Sequence, residues 1–149
     1  MIVRHIQDLE QTERDVRAAT WTSVRLLLRQ DGMGFSLHDT VIHAGTETRI
    51  WYKHHQEAVY CIEGEGEIEV LPDGPAYRIV PGMMYALDGH EMHLLRAISD
   101  LRLICVFNPP CTGRETHDDE GTYPLLEDAL HDESLACTAD ATGGNACKP

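Results

Sequence analysis

From residue 21 to residue 107 the chain runs in short stretches of alternating apolar and polar positions, none carrying the longer period of a helix of several turns. Alternation at period two buries one face of an extended strand and wets the other, so it predicts half-buried strands. Nine stretches fit: residues 21–29, 35–42, 48–52, 58–62, 67–71, 77–80, 84–87, 94–97 and 101–107. They are separated by Gln30-Asp31-Gly32-Met33-Gly34, Gly64-Glu65-Gly66, Pro72-Asp73-Gly74-Pro75, Pro81-Gly82 and Asp88-Gly89. Such clusters adopt the turn conformations that larger residues resist. Nine short strands predict an all-β domain, a double-sheet jelly-roll barrel. Helix is confined to one or two short pieces, residues 6–12 and 124–130.

The first two strands predict a hairpin. In the second, Ser36, His38 and Thr40 fall on one face and Phe35, Leu37 and Val41 on the other, and a polar face is what a ligand cavity inside a barrel needs. No helical pattern follows Gly64-Glu65-Gly66, so it is expected to be a hairpin turn and not a phosphate loop. Glu63, Glu65, Glu67 and Glu69 share a strand face expected in solvent, and Cys105 is expected in the core. His54 and His55 are neighbours and must point opposite ways, so at most one enters a cavity, and His54 is placed outside. Beyond residue 130 almost nothing large and apolar remains to offset the entropy of ordering. The barrel domain is therefore expected over residues 1–130 and a flexible tail over 131–149.

Length and charge narrow the partners. The 149 residues suit one domain. With 25 acidic against 12 basic residues the formal charge is −13, a field that repels phosphate backbones and anionic lipids, so neither nucleic acid nor membrane is expected as a partner. No apolar run approaches the length of a membrane span, and the first ten residues hold no secretory apolar core. Five cysteines, an odd set without C-x-x-C spacing, argue against a disulfide framework and a structural zinc site. Reduced thiols in the cytoplasm are the expectation.

The candidate chemistry begins with a motif. Cupin barrels carry G-x5-H-x-H-x3-E-x6-G, and Gly45, Glu57 and Gly64 fall in its register while Trp51 and Lys53 occupy the two histidine positions. In the second half Pro81-Gly82 through His93 matches the second cupin motif loosely, with His93 near its histidine and Tyr85 earlier on the same segment. Two of the usual four ligands are thus missing, so the chain should either bind no metal or build its site differently.

Three segments then resemble the ectoine synthase family: Tyr52-Lys53-His54-His55-Gln56-Glu57 through Gly66, Pro81 through His93, and Val106-Phe107-Asn108-Pro109-Pro110 through Asp118. The resemblance implies a cupin fold, an iron(II) site on Glu57, Tyr85 and His93, and a homodimer. It also implies the closure of N-γ-acetyl-L-2,4-diaminobutyrate to ectoine with loss of water. Such a condensation needs a polarised carbonyl, a base for the ammonium proton and an acid for the departing oxygen. The resemblance places the base at Glu115, the donor at Tyr52 and an orienting group at His117. It places substrate contacts at Trp21, Arg25, His38, Thr40, His55, Leu87 and Phe107, with the Arg25 guanidinium as the clamp for a carboxylate. Taken singly, Glu57 reads as a solvated carboxylate, Tyr85 as a strand aromatic, His93 as a turn histidine, and Glu115 with His117 as loop packing. Two other functions remain open at this point: a small-solute-binding cupin without catalysis, and another metal-dependent cupin enzyme such as a dioxygenase or isomerase.

Overall fold

A computed structural model of the chain describes residues 1–118 and 121–123. Among these, one short helix, α1 (Ile6–Leu9), precedes ten strands. They are β1 (Asp15–Arg17), β2 (Trp21–Leu27), β3 (Ser36–Ile42), β4 (Glu47–Ile50), β5 (Gln56–Glu63), β6 (Gly66–Val70), β7 (Ala76–Ile79), β8 (Met84–Leu87), β9 (His93–Ala97) and β10 (Leu101–Asn108). Two antiparallel sheets result, a large one ordered β1-β2-β3-β10-β5-β8 and a small one ordered β4-β9-β6-β7. This is the expected double-sheet jelly roll.

All nine expected strands form, with ends shifted by a few residues, and β2 pairs with β3 as the expected hairpin. The tenth, β1, is too short to display alternation and exists only by pairing along β2. The first helix is a single turn and not the seven residues expected, and Gln11 just beyond it takes a left-handed φ of 61°. After β2 the chain enters a 3-10 turn, Arg29–Asp31, where the Asp31 carboxylate accepts from Arg4, Arg14 and the Leu28 amide. The expected helix at 124–130 and the tail at 131–149 lie outside the described residues. No helix among the described residues is long and apolar enough to cross a membrane.

One turn differs in kind. Gly64-Glu65 does not close a hairpin, because β5 belongs to the large sheet and β6 to the small one; it is the corner that carries the chain between them. Gly64 sits at φ +90°, and a Cβ there would collide with the Asp100 carbonyl, so glycine is required twice over. Turn chemistry sets the bend, but which sheet the next strand joins is decided by packing.

The core lies between the sheets. Along β5, Glu57, Val59 and Cys61 are buried while Ala58, Tyr60 and Ile62 are exposed, the alternation a two-layer barrel imposes. On the outside of the small sheet Glu67 and Glu69 face out as expected, but they do not stand alone in solvent: Arg96 reaches both, at 2.8 and 2.7 Å, together with Glu47 at 2.6 Å.

Candidate active site

Strand register assembles the site. Across the large sheet, Arg25 on β2 lies opposite His38 on β3, His38 opposite Cys105 on β10, Cys105 opposite Val59 on β5, and Val59 opposite Tyr85 on β8. The next inward-facing row places Phe107 opposite Glu57 and Glu57 opposite Leu87. Glu57 and Tyr85 are therefore diagonal neighbours on one face, some 7 Å apart at the backbone by general strand geometry. The small sheet contributes His93, the first residue of β9, from the opposite wall. His93 Nδ1 lies 3.1 Å from the Glu91 carbonyl, a partner that fixes this nitrogen as the donor and leaves Nε2 with its lone pair.

The segment after β10 folds back over the open end. It brings His117 into the cavity, where Nε2 lies 3.2 Å from the Tyr52 hydroxyl and the ring meets the edge of Trp21 at 5.5 Å. Glu115 stays behind the wall. Its carboxylate accepts the Thr112 N–H at 2.6 Å and the Gly113 N–H at 2.9 Å, and the Arg25 guanidinium stands 3.7 Å away while donating to the Glu115 backbone carbonyl. Both side chains are buried. Arg25 keeps Nε and Nη1 without hydrogen-bond partners, and so do His38 Nε2 and His55 Nε2.

Burial governs the charge states. The Glu57 carboxyl is pushed up to about 8 by desolvation, with the Cys105 thiol donating to it and pulling the other way. No ion pair to Glu57 exists among the described residues. Burial and the Glu57 charge hold the Tyr85 and Tyr52 phenols well above their ordinary value. Desolvation lowers His38, His55 and His93, and takes His117 down to about 4, with His93 adding to the effect there. For Glu115 burial works upward, but the Thr112 and Gly113 amides outweigh it and the carboxyl ends below its ordinary value.

A carboxylate, a phenol and an imidazole facing one cavity, with no compensating cation among the described residues, form a donor set that suits a mid-row divalent metal. Among the described residues no three His, Cys, Asp or Glu side chains are arranged to hold a metal ion, so such a site has to draw on the Tyr85 phenol. A dication would also reverse the electrostatics, since it favours the ionised forms that burial disfavours.

His117 supplies a pH test. Its folded pKa lies below the unfolded value, so as pH falls the unfolded chain takes up the proton first. The stability this neutral ring permits is full above about pH 6.5 and is lost toward pH 4, by about 3 kcal/mol at 1.4 kcal/mol per unit. Glu57 acts in the opposite direction, so the comparison is with His117→Phe, in which the Glu57 effect cancels. Urea unfolding from about pH 7 to 4 should show the parent losing that extra increment, and parallel curves would rule it out.

Against known proteins, the ectoine synthase family model matches residues 1–127. The chain is 62% identical over 130 residues to an L-ectoine synthase of Desulfatibacillum aliphaticivorans, covering 86% of this chain and all of that one. The chain belongs to the ectoine synthase family. An L-ectoine synthase of Halalkalibacterium halodurans is 59% identical over 128 residues, covering 86% and 99%. The crystal structure of ectoine synthase from P. lautus superposes with a TM-score of 0.77 at 62% identity, covering 91% of this chain and 98% of that one. KdgF from Halomonas sp., at 20% identity and a TM-score of 0.55, shares the fold over 63% of this chain and 84% of its own.

Nine of the thirteen residues that the ectoine synthase resemblance implied line one cavity: Trp21, His38, Thr40, Tyr52, Glu57, Tyr85, His93, Phe107 and His117. Four stand outside its lining. Arg25 and Glu115 face each other in a buried pair, so the guanidinium expected to clamp a substrate carboxylate stands 3.7 Å from one of the chain's own without a hydrogen bond to it. Leu87 packs in the core; His55 turns inward, its Nδ1 2.7 Å from the Pro109 carbonyl, while His54 is exposed. Trp51 and Lys53, at the cupin histidine positions, stack on each other with Lys53 Nζ 4.2 Å from the indole centre. Among the lining residues that the ectoine synthase resemblance did not name, two carry polar groups beside the candidate donors. Cys105 is buried in the core as expected and also lines the cavity and bonds Glu57, which its place opposite His38 on a polar face could have signalled. Tyr123 lies beyond the last strand, and no local pattern marks it.

Proposed function

We propose that this enzyme of the ectoine synthase family closes N-γ-acetyl-L-2,4-diaminobutyrate into ectoine with one iron(II) held by Glu57, Tyr85 and His93. The observation that carries the reading is the meeting of these three donors with Tyr52 and His117 around one cavity in a chain 62% identical to an L-ectoine synthase. In the reaction the α-amine forms a bond to its own acetamide carbonyl carbon, the carbon–oxygen bond breaks, and the oxygen leaves as water, giving a cyclic amidine. When bound, the metal supplies Lewis acidity toward that carbonyl.

The chain's own residues supply the rest. Tyr52 stays a protonated phenol at neutral pH and donates toward the departing oxygen, with His117 neutral beside it. Glu115 stays ionised and is the base for the ammonium proton, which reaches it by way of one water because Glu115 stands outside the cavity lining; each carboxylate oxygen keeps a lone pair after accepting one backbone N–H. Arg25 Nε and His38 Nε2 are buried nitrogens without hydrogen-bond partners, and we assign them to the substrate carboxylate. Trp21 and Phe107 enclose the folded substrate, and orienting a flexible molecule for attack on itself is a large part of such a rate enhancement.

The test is proton NMR of the purified protein incubated anaerobically with the acetylated diamino acid, with and without iron(II). Iron-dependent, stoichiometric ectoine is the expected result; substrate surviving intact with iron bound would remove the assignment. In the same assay Glu115→Gln should lose about 10² to 10⁴ in rate while retaining iron. Normal turnover by that variant would move the base elsewhere.

We further propose a homodimer in the cytoplasm. β8 is an open edge of the large sheet, and Met84 there lies opposite Tyr60 beside Ile62, an exposed apolar patch, while Met1, Ile2 and Val3 are exposed at the other end of the chain. Light scattering should give twice the chain mass, and a monomer would refute the pairing. The free, buried thiols of Cys61, Cys105 and Cys111 support a reducing compartment.

A further inference from the structure

Tyr123 is the least expected member of the cavity wall. It is 3% exposed, although it lies fifteen residues beyond the end of β10 with no strand of its own. What holds it is a set of backbone ties. The Trp51 N–H donates to the Gly121 carbonyl at 2.8 Å, the Asp118 N–H donates to the Thr122 carbonyl at 3.0 Å, and the Thr122 N–H donates to Asp118 Oδ1 at 2.8 Å. Gly121 lies so close to the end of β4 that a Cβ would collide with the Arg49 carbonyl, and its φ is +77°. The segment is thereby fastened to the small sheet just where β4 gives way to Tyr52.

That fastening puts the Tyr123 ring against both partners of one hydrogen bond. It packs on His117 at 4.5 Å and 30°, and against Tyr52 edge-on at 4.9 Å and 63°. The Tyr52 hydroxyl and His117 Nε2 meet at 3.2 Å between rings 5.7 Å apart. Tyr52 comes from the loop after β4, and His117 from the segment over the barrel mouth, so no shared element sets their relative orientation. Tyr123 touches both, and aromatic contacts of this kind fix ring geometry.

We propose that Tyr123 is a positioning residue of this site: through its ring it holds the Tyr52–His117 pair in the orientation that lets the Tyr52 hydroxyl address the substrate. The inference rests on the cyclase reading above, because it acts through the donor assigned there. The phenyl ring carries the role, and the Tyr123 hydroxyl does not.

Steady-state kinetics of the full-length protein with iron(II) decides it, with circular dichroism establishing that each variant is folded at the assay temperature. Ectoine formation by the parent protein is the control for the cyclase reading itself: if the parent makes none, that reading fails before Tyr123 is at issue. With an active parent, Tyr123→Phe should stay within about threefold in kcat and KM, whereas Tyr123→Leu should lose about 10- to 100-fold in kcat with KM within about threefold. Gly121→Ala alters no cavity side chain chemically but displaces the tie to β4 that holds the Tyr123 ring, and should lower kcat severalfold in the same pattern. Parental kcat in Tyr123→Leu, or in Gly121→Ala should the leucine variant not fold, would overturn the proposal. So would an equal loss in Tyr123→Phe, which would put the role on the hydroxyl.

Discussion

Glu57→Gln should abolish iron(II) binding and lower kcat/KM by at least about 10³, and yet make the metal-free protein more stable. The two effects have one cause. Burial pushes the Glu57 carboxyl up to about 8, and among the described residues the Cys105 thiol that pulls the other way does not offset it. A group whose folded pKa exceeds its unfolded value contributes stability below the unfolded value and loses it as pH rises. Metal-free protein therefore loses stability between about pH 4.5 and 8, by about 3 kcal/mol at neutral pH, and glutamine escapes that loss. The measurement is urea unfolding of chelated parent and variant across that range, with metal content read in parallel. The gap should vanish near pH 4.5 and widen toward 8. A variant that keeps stoichiometric iron would take Glu57 out of the ligand set; one less stable than the parent at neutral pH would show that the buried carboxylate has a partner compensating it.

Arg25→Met should unfold far more easily and turn over at least about 10²-fold more slowly. Arg25 and Glu115 are among the largest fully buried side chains, 3.7 Å apart. Removing the guanidinium strands an ionised carboxylate that two backbone amides keep charged, and breaking a buried pair from one side costs about 3 to 5 kcal/mol. For a domain of this size that lowers Tm by roughly 10 to 15 °C. Arg25→Lys should recover little, because one ammonium cannot serve both the Glu115 carbonyl and its carboxylate in a fork. An unchanged Tm by calorimetry would mean the pair contributes nothing net, and Glu115 would then owe its ionisation to the amides alone.

Family membership narrows the functional field that the residues left open. A solute-binding cupin and a cupin dioxygenase or isomerase were both compatible with the degenerate first motif, since Trp51 and Lys53 remove the usual histidine pair. Trp51 and Lys53 pair with each other outside the cavity lining, and within it His93 from β9 faces Glu57 and Tyr85.

What the sequence by itself determined was whatever local periodicity encodes. Alternation along residues 35–42 announced a strand with Ser36, His38 and Thr40 on a polar inner face, and β3 has it. His55 is buried and His54 exposed as expected, although both lie just before β5 and not within a strand. What only the tertiary structure decided were relations between distant segments. Arg25 and Glu115 are ninety residues apart in the chain and meet because β2 and the loop after β10 converge at the barrel mouth. Gly64-Glu65 looked like a hairpin and proved a corner, Cys105 proved part of the cavity, and Tyr123 arrived there through a glycine pressed on the end of β4. The physical reason is the same throughout: side-chain alternation and turn preference are set by neighbours along the chain, whereas the partner of a buried charge or ring is set by which sheets close on each other.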